Sequence, residues 1–109
     1  MLENGINPFV EKMLDYTAKR QQAISANIAN LDTPGYQARD VEFKQELSNA
    51  SSIHEVDIDD AVKPNGNNVD LEKQMTRMTQ NGLQYMMLIQ YLSSDIKTLH
   101  SAITEGGKG

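Results

Sequence analysis

In the C-terminal part of the chain, mainly apolar residues recur at alternating steps of four and three positions. They are Leu71, Met75, Met78, Gly82, Tyr85, Ile89, Leu92, Ile96, Leu99 and Ile103. This seven-residue period puts one apolar stripe on an α-helix and favours packing against another helix. The stripe would be about 50 Å long at about 1.5 Å per residue. We predict a heptad helix over residues 69–105, followed by a short tail at 106–109.

A weaker form of the same spacing lies nearer the N-terminus. It is carried by Val10, Leu14, Thr17, Gln21, Ile24, Ile28 and Leu31, with polar residues at two positions. Asn7 followed by Pro8 is typical of a helix start. Pro34 disfavours a helical Thr33, and Gly35 permits a positive φ, so the helix should end there. We predict a flexible N-terminus at 1–7, a helix at 8–31 and a turn with an extension at 32–47.

Acidic residues are concentrated between the two predicted helices. Between positions 40 and 60 the only base is Lys44, and the stretches 48–52 and 63–68 are rich in Ser, Asn and Gly. Low hydrophobicity with high net charge disfavours ordering, so residues 48–68 are predicted to be an acidic flexible loop. The alternation at Val41-Glu42-Phe43 fits a short strand or one irregular turn. The predicted fold is all-α, with two long terminal helices joined by an irregular, flexible segment that allows either relative direction.

The composition excludes several classes of protein. The absence of cysteine excludes disulfide frameworks and thiolate metal sites. A net charge of −5 argues against nucleic-acid binding. No apolar run reaches the roughly 18 to 20 residues of a membrane span, so no direct membrane insertion is expected. The first residues lack the basic and apolar regions of a cleavable secretory signal.

Residues that could carry chemistry are few. His54 and His100 have no second ligand at metal-binding spacing, and the acidic run at 55–60 lacks the glycine and terminal glutamate of an EF-hand. No serine has a recognisable histidine and acid partner. We therefore expect no catalytic, cofactor or metal site and no enzymatic activity. One alternative is a small hydrolase using carboxylates from Asp57 to Asp60, with activity lost in Asp57→Asn.

The two predicted helices differ in length, which leaves apolar surface uncovered. A stripe of about 50 Å is not covered by a first helix of about 35 Å that has two polar interruptions. The remainder, around Met75 to Met87, must find a neighbour or stay exposed, although these methionines could be ordinary core residues. The sequence therefore predicts self-association. A homodimeric coiled-coil adaptor with parallel heptads is a further alternative.

One contiguous motif resembles a known family. Residues 25–36, Ser-Ala-Asn-Ile-Ala-Asn-Leu-Asp-Thr-Pro-Gly-Tyr, resemble the signature of bacterial flagellar axial proteins, which include rod, hook and junction subunits. The continuation at 37–43, the segment 69–75 and Asn81-Gly82-Leu83-Gln84-Tyr85 are similar to the basal-body rod proteins among them. The middle segment, 48–68, is short for this family.

The resemblance implies a fold and a function. In such proteins the terminal helices pair as an antiparallel coiled coil, and the pairs pack into the tubular rod that transmits motor torque to the hook. It implies a structural subunit of the proximal rod in the periplasmic part of the flagellar basal body, or another rod subunit of the same family. The implied partners are other rod subunits, the membrane-ring adaptor protein and the flagellar type III export apparatus. Export from the cytoplasm would need no cleaved signal.

The resemblance also implies roles for individual residues. The signature residues expected to shape the turn or contact other subunits are Asn27, Asn30, Thr33, Pro34, Gly35, Tyr36 and Arg39. Asn27 and Asn30 would bond backbone or a neighbour at the helix end, where Asn30 could equally be a simple cap. The expected assembly seam is Leu71, Met75, Met78, Tyr85, Ile89, Leu92, Ile96, Leu99 and Ile103. Phe9 and Met13 match the Phe-x-x-x-hydrophobic element that the export gate reads in such subunits.

Overall fold

The computed structural model describes residues 7–45 and 51–108, without the side chains at positions 45, 51, 99 and 105–108. The elements in chain order are α1 (Pro8–Ala29), β1 (Arg39–Gln45), β2 (Ser51–Asp57) and α2 (Leu71–Lys108). The molecule is elongated, 71 × 30 × 17 Å, because α2 has 38 residues and is about 57 Å long. Neither described helix carries an apolar stretch long enough to cross a bilayer.

The two strands show that the all-α prediction was wrong. They form an antiparallel sheet in which Arg39 lies opposite Asp57 and Gln45 opposite Ser51. Val41 is buried, and the Phe43 ring meets the ring of Phe9 edge-on, with centroids 5.9 Å apart. Strand formation depends on such packing more than on intrinsic propensity. α1 supplies the packing surface for β1, and β2 supplies its hydrogen-bonding partner.

Both helices begin at capping side chains. The Asn7 side chain accepts a hydrogen bond from the backbone N–H of Phe9 at 2.8 Å, and Pro8 occupies the first turn. The Asp70 carboxylate accepts from the backbone N–H of Lys73 at 3.1 Å. These bonds satisfy N–H groups that have no partner within the helix. α1 ends at Ala29 rather than at 31, and α2 continues to Lys108.

The segment between the helices is ordered where the structure describes it. Ala38, Ile58 and Val69 form a small buried cluster, against which Leu31 and Tyr36 pack. The backbone N–H of Ile58 donates to the carbonyl of Ala38 at 2.9 Å. The predicted irregular, flexible connection was therefore wrong for β2 and for the bonded stretch that follows it. Residues 46–50 of that connection lie outside the described residues.

The helices run antiparallel. The Asn27 side chain meets that of Gln74 near the end of α1, and Asn81 bonds to the backbone of Thr17 in its middle. Near the start of α1, a groove of about 420 Å³ is lined by both helices and reaches Tyr91. Beyond that point, every side chain that the structure describes from 93 to 104 is exposed. The C-terminal part of α2 thus projects past the first described turn of α1.

Candidate functional site: the signature turn and the outward face of α2

We call the segment that leads from the end of α1 to the start of β1 the signature turn, and Asn27 is its central residue. This residue lies in the last turns of α1 and is fully buried. Its Nδ2 donates to the carbonyl of Arg39 at 2.7 Å, and its Oδ1 accepts from the Arg39 backbone N–H at 3.0 Å. Nδ2 also donates to Oε1 of Gln74 at 3.1 Å, and the Tyr36 hydroxyl donates to Oδ1 at 3.5 Å. One side chain therefore connects α1, the start of β1 and α2.

Two further buried amides hold the connecting chain against this turn. Asn67 Nδ2 donates to the carbonyls of Asn30 and Thr33, both at 2.8 Å. Asn68 Oδ1 accepts from the backbone N–H of Ala38 at 2.6 Å, and its Nδ2 donates to the carbonyl of Ile58 at 2.7 Å. We call Asn27, Asn67 and Asn68 the amide clamp. It supplies hydrogen bonds to backbone groups that regular structure does not pair.

Sequence reasoning missed two of the three clamp residues. Asn67 and Asn68 stand in a polar Asn- and Gly-containing stretch that predicted a flexible loop. The only available signal was the tendency of Asn to bond local backbone in turns. That signal does not identify the distant carbonyls that these amides reach.

Two glycines allow the signature turn and the connecting chain to touch. Gly35 has a φ of +74° and Gly66 a φ of +84°, in the left-handed region where side chains are disfavoured. The backbone N–H of Gly35 donates to the carbonyl of Asn65 at 3.0 Å. A Cβ added to Gly66 would lie 3.3 Å from the Cα of Gly35. The contact is therefore one of backbone against backbone.

The other signature residues are distributed around this contact. Asn30 caps α1, with its Nδ2 donating to the carbonyl of Ala26 at 2.8 Å and its Oδ1 accepting from Thr33 Oγ1 at 3.0 Å. Pro34 is exposed and Tyr36 is half-buried. Arg39 extends along the sheet and pairs with Glu55 at 3.3 Å and Asp57 at 3.7 Å. The amide clamp and signature residues thus lie together at one end of the helix pair.

The export-gate candidates lie elsewhere. Phe9 is exposed and Met13 is half-buried, both in the first turns of α1. They are about 20 Å or more from Asn27 along the helix axis, at about 1.5 Å per residue. The structure therefore does not join this element to the signature turn.

A chain of opposite charges connects the same elements from another side. Arg20 on α1 pairs with Asp40 on β1 at 3.1 Å, and Arg77 on α2 lies 4.0 Å from Asp40. Arg77 is also 3.9 Å from Asp60, which Lys73 approaches at 2.9 Å. The hydrogen bond and the charge of Asp60 raise the pKa of Lys73 above its ordinary value. Asp40 and Asp60, two of the acidic residues between positions 40 and 60, are thus paired with bases on the helices.

The face of α2 that meets α1 is shifted from the predicted stripe. Met75 and Ile89 are exposed and Gly82 is only half-buried. The inward positions are each one residue earlier: Gln74, Asn81 and Leu88. Gln74 and Asn81 are among the most buried side chains of the molecule. A polar inner face and an apolar outer face therefore occur on the same helix.

Most of the predicted assembly seam is available to other molecules. Its exposed members are Leu71, Met75, Tyr85, Ile89, Ile96 and Ile103. Met78 and Leu92 are half-buried, and the Leu99 side chain lies outside the described residues. Four further exposed residues were not part of the predicted seam, namely Leu83, Met86, Met87 and Tyr91, although Met86 and Met87 lie in the stretch that the sequence left uncovered. We call the exposed stripe formed by Met75, Ile89, Ile96 and Ile103 the outward stripe.

No site for metal chemistry emerges from the described ranges. Within residues 7–45 and 51–108, no group of three or more His, Asp or Glu side chains could hold a metal ion. His54 shares a hydrogen bond of 2.8 Å with the Ser52 hydroxyl on an exposed strand. The described site is one of packing and hydrogen bonding.

Comparison with known proteins identifies the family. The profile of the family described as "Flagella basal body rod protein" matches residues 14–37, which contain the end of α1 and the signature turn. A protein of Bacillus subtilis named "Flagellar basal body rod protein FlgB" is 33% identical, over 98% of this chain and 98% of its own length. The protein of that name from Escherichia coli K12 is 32% identical, over 90% of this chain and 92% of its own.

The second of these alignments also shows a difference in length. It extends over 127 positions, more than the 109 residues of this chain, so the relative contains insertions. The alignment nevertheless covers nearly the whole of both proteins. The resemblance predicted from the signature is confirmed. The chain belongs to the family of flagellar basal body rod proteins, together with the proteins named FlgB.

Proposed function

We propose that this chain is a structural subunit of the proximal rod, assembled through its helices into the tubular shaft that carries motor torque to the hook. The observation that carries this proposal is the exposed apolar surface along α2. Family membership places the protein in the flagellar basal body rod. The two relatives described above both bear the FlgB name, which favours this subunit over another rod protein of the family.

The apolar surface supports a role in subunit contact. Large exposed apolar patches are unusual on proteins that act alone and generally mark interaction sites. Here such side chains continue from the region beside α1 to the projecting part of α2, ending at Ile103. A helix of this kind is stabilised when a neighbouring helix covers its stripe. We infer that neighbouring rod subunits cover it.

The same proposal names further partners. Exposed Phe9, with Met13 one turn later, would be read by the flagellar type III export apparatus before assembly. The membrane-ring adaptor protein would contact the subunits nearest the membrane. Tyr36 and Arg39 stay as predicted contact residues at the signature turn, where Arg39 is accessible beside its two acidic partners.

A charge placed on the outward stripe tests the proposal. Ile96→Asp should abolish motility and remove the protein from purified basal bodies, because it puts a carboxylate into an apolar contact. Ser94→Asp is the matched control, since it adds the same charge about 160° around the helix, at about 100° per residue. Normal motility and normal incorporation of Ile96→Asp would contradict the proposal.

A further inference from the structure

α2 could present either of two faces to α1. Met78, Tyr85 and Leu92 are common to both. The remaining inward positions could be Met75, Gly82 and Ile89, or the residues one step earlier, Gln74, Asn81 and Leu88. Burial of apolar area alone favours the first set. The structure has the second set, so another interaction must select it.

Hydrogen bonds to α1 favour the observed face. Gln74 Oε1 accepts from Asn27 Nδ2 at 3.1 Å. Asn81 Nδ2 donates to the carbonyl of Thr17 at 2.9 Å and lies 3.5 Å from Gln21 Oε1. Rotating α2 to bury Met75 and Ile89 would break these bonds and leave one N–H of the buried Asn27 amide without its partner. Polar residues at such positions are known to specify helix register at a cost in stability.

The contact between α1 and α2 shows this cost in stability. Gln74 is fully buried, yet its Nε2 has no hydrogen-bond partner in the described part of the chain. The same holds for Oδ1 of Asn81. Buried polar atoms without partners are rare in folded proteins. Stability alone therefore does not account for two amides on this face while apolar residues one position away stay exposed.

We propose that Gln74 and Asn81 are register-specifying residues that keep the outward stripe off the chain's own α1. Their bonds to Asn27 and Thr17 hold α2 in the rotation that presents Met75 and Ile89 to neighbouring subunits. The part of this inference that concerns neighbours rests on the proposed function. The part that concerns rotation depends only on the helix pair.

Disulfide trapping in the dilute purified chain tests the rotation. The chain has no cysteine, so introduced pairs are unambiguous. Val10→Cys with Leu88→Cys reports the observed face, and Val10→Cys with Ile89→Cys reports the rotated one. In the native background the first pair should form its disulfide at least about tenfold faster than the second. Disulfides need closely placed Cβ atoms, and position 88 rather than 89 faces α1. Adding Gln74→Met and Asn81→Leu should remove or reverse that preference.

Matched variants make the outcome decisive. Gln80→Leu with Gln90→Leu also replaces two amides, but at exposed positions of α2, and should leave the trapping preference unchanged. An unchanged preference in Gln74→Met with Asn81→Leu would overturn the inference. If that pair of changes lowers the helix content, Gln74→Met alone gives the same test, because the two side chains are nearly equal in shape.

A second readout separates this inference from the proposed function. Met75→Gln with Ile96→Gln, which leaves positions 10, 88 and 89 free for the cysteine pairs, should keep the native trapping preference but lose incorporation into basal bodies. Normal incorporation of that variant would contradict the role of the outward stripe while leaving the rotation result intact. Gln74→Met with Asn81→Leu should change the trapping preference and also lose incorporation. Normal incorporation despite rotation would overturn the link between register and assembly.

Discussion

Asn27 pairs with both backbone groups of Arg39, as a residue of a neighbouring strand would. The two hydrogen bonds are 2.7 and 3.0 Å long, and the amide that makes them is fully buried. Through this pairing the end of α1 fixes the first residue of β1. The signature motif of the family therefore encodes a tertiary contact as well as a helix end.

Asn27→Asp should destabilise the fold strongly. It replaces the Nδ2 donor by a buried carboxylate oxygen that faces the carbonyl of Arg39 and Oε1 of Gln74. We expect the free energy of unfolding to fall by about 3 kcal/mol, from lost bonds and unpaired buried groups. Urea denaturation followed by circular dichroism measures the change. Gln22→Glu makes the same amide-to-acid change at an exposed position of α1 and should have little effect; equal losses would refute the clamp role.

Glycine-to-alanine substitutions should change the free energy of unfolding in opposite directions at different positions. Gly35→Ala should lower the free energy of unfolding by about 1 to 2 kcal/mol, because an L-residue disfavours a positive φ. Gly66→Ala should cost more, since its Cβ would also press on the Gly35 backbone. Gly82→Ala should instead stabilise by up to about 1 kcal/mol, because it lies in α2 with open space around it. Thermal unfolding ranks the three, and a destabilised Gly82→Ala would contradict the described packing.

Asp40→Asn tests the chain of charges between the elements. Asp40 and Arg20 are both largely shielded from solvent, with two hydrogen bonds between them. We expect a loss of about 1.5 to 3 kcal/mol, typical of hydrogen bonds to charged groups. The comparison is Asp15→Asn, whose pair with Lys19 is half-exposed and should contribute less than about 1 kcal/mol. Similar values for both variants would show that the network adds no stability.

The raised pKa of Lys73 predicts a pH dependence. Asp60 holds the pKa of Lys73 above its ordinary value in the folded chain. The protonated Lys73 amine therefore contributes its full stabilisation at any pH below that ordinary value. The contribution is lost as the pH rises through the higher, folded-state pKa. The stability difference between the native chain and Lys73→Gln should therefore shrink at strongly alkaline pH. A difference that stays constant across that range would exclude the Asp60 pairing as its source.

The helices could be predicted from the sequence, but the face of α2 could not. The caps at Asn7 and Asp70 and the heptad spacing depend on local residues. Choosing between Asn81 and Gly82 as the inward position requires knowing that Thr17 and Gln21 lie opposite. Hydropathy carries no information about such partners.

The sheet and the connecting chain were harder to predict from the sequence than the helices, because they depend on partners that are distant in sequence. Val41 and Phe43 alternate as strand residues do, but the strand opposite them lies in a segment whose acidity predicted disorder. Its charges are paired by bases far away in sequence, such as Arg39 on β1 and Arg77 on α2. The contact roles of the signature residues and of Phe9 and Met13 stay predictions.

Protection of the outward stripe in assembled rods tests the central claim most directly. Ile96→Cys places a single thiol on the exposed, projecting part of α2 in a chain without other cysteines. The account predicts that a maleimide reagent labels this thiol quickly in the purified chain and slowly in intact basal bodies, where a neighbouring subunit covers it. Equal labelling rates in the purified chain and in basal bodies would contradict the claim.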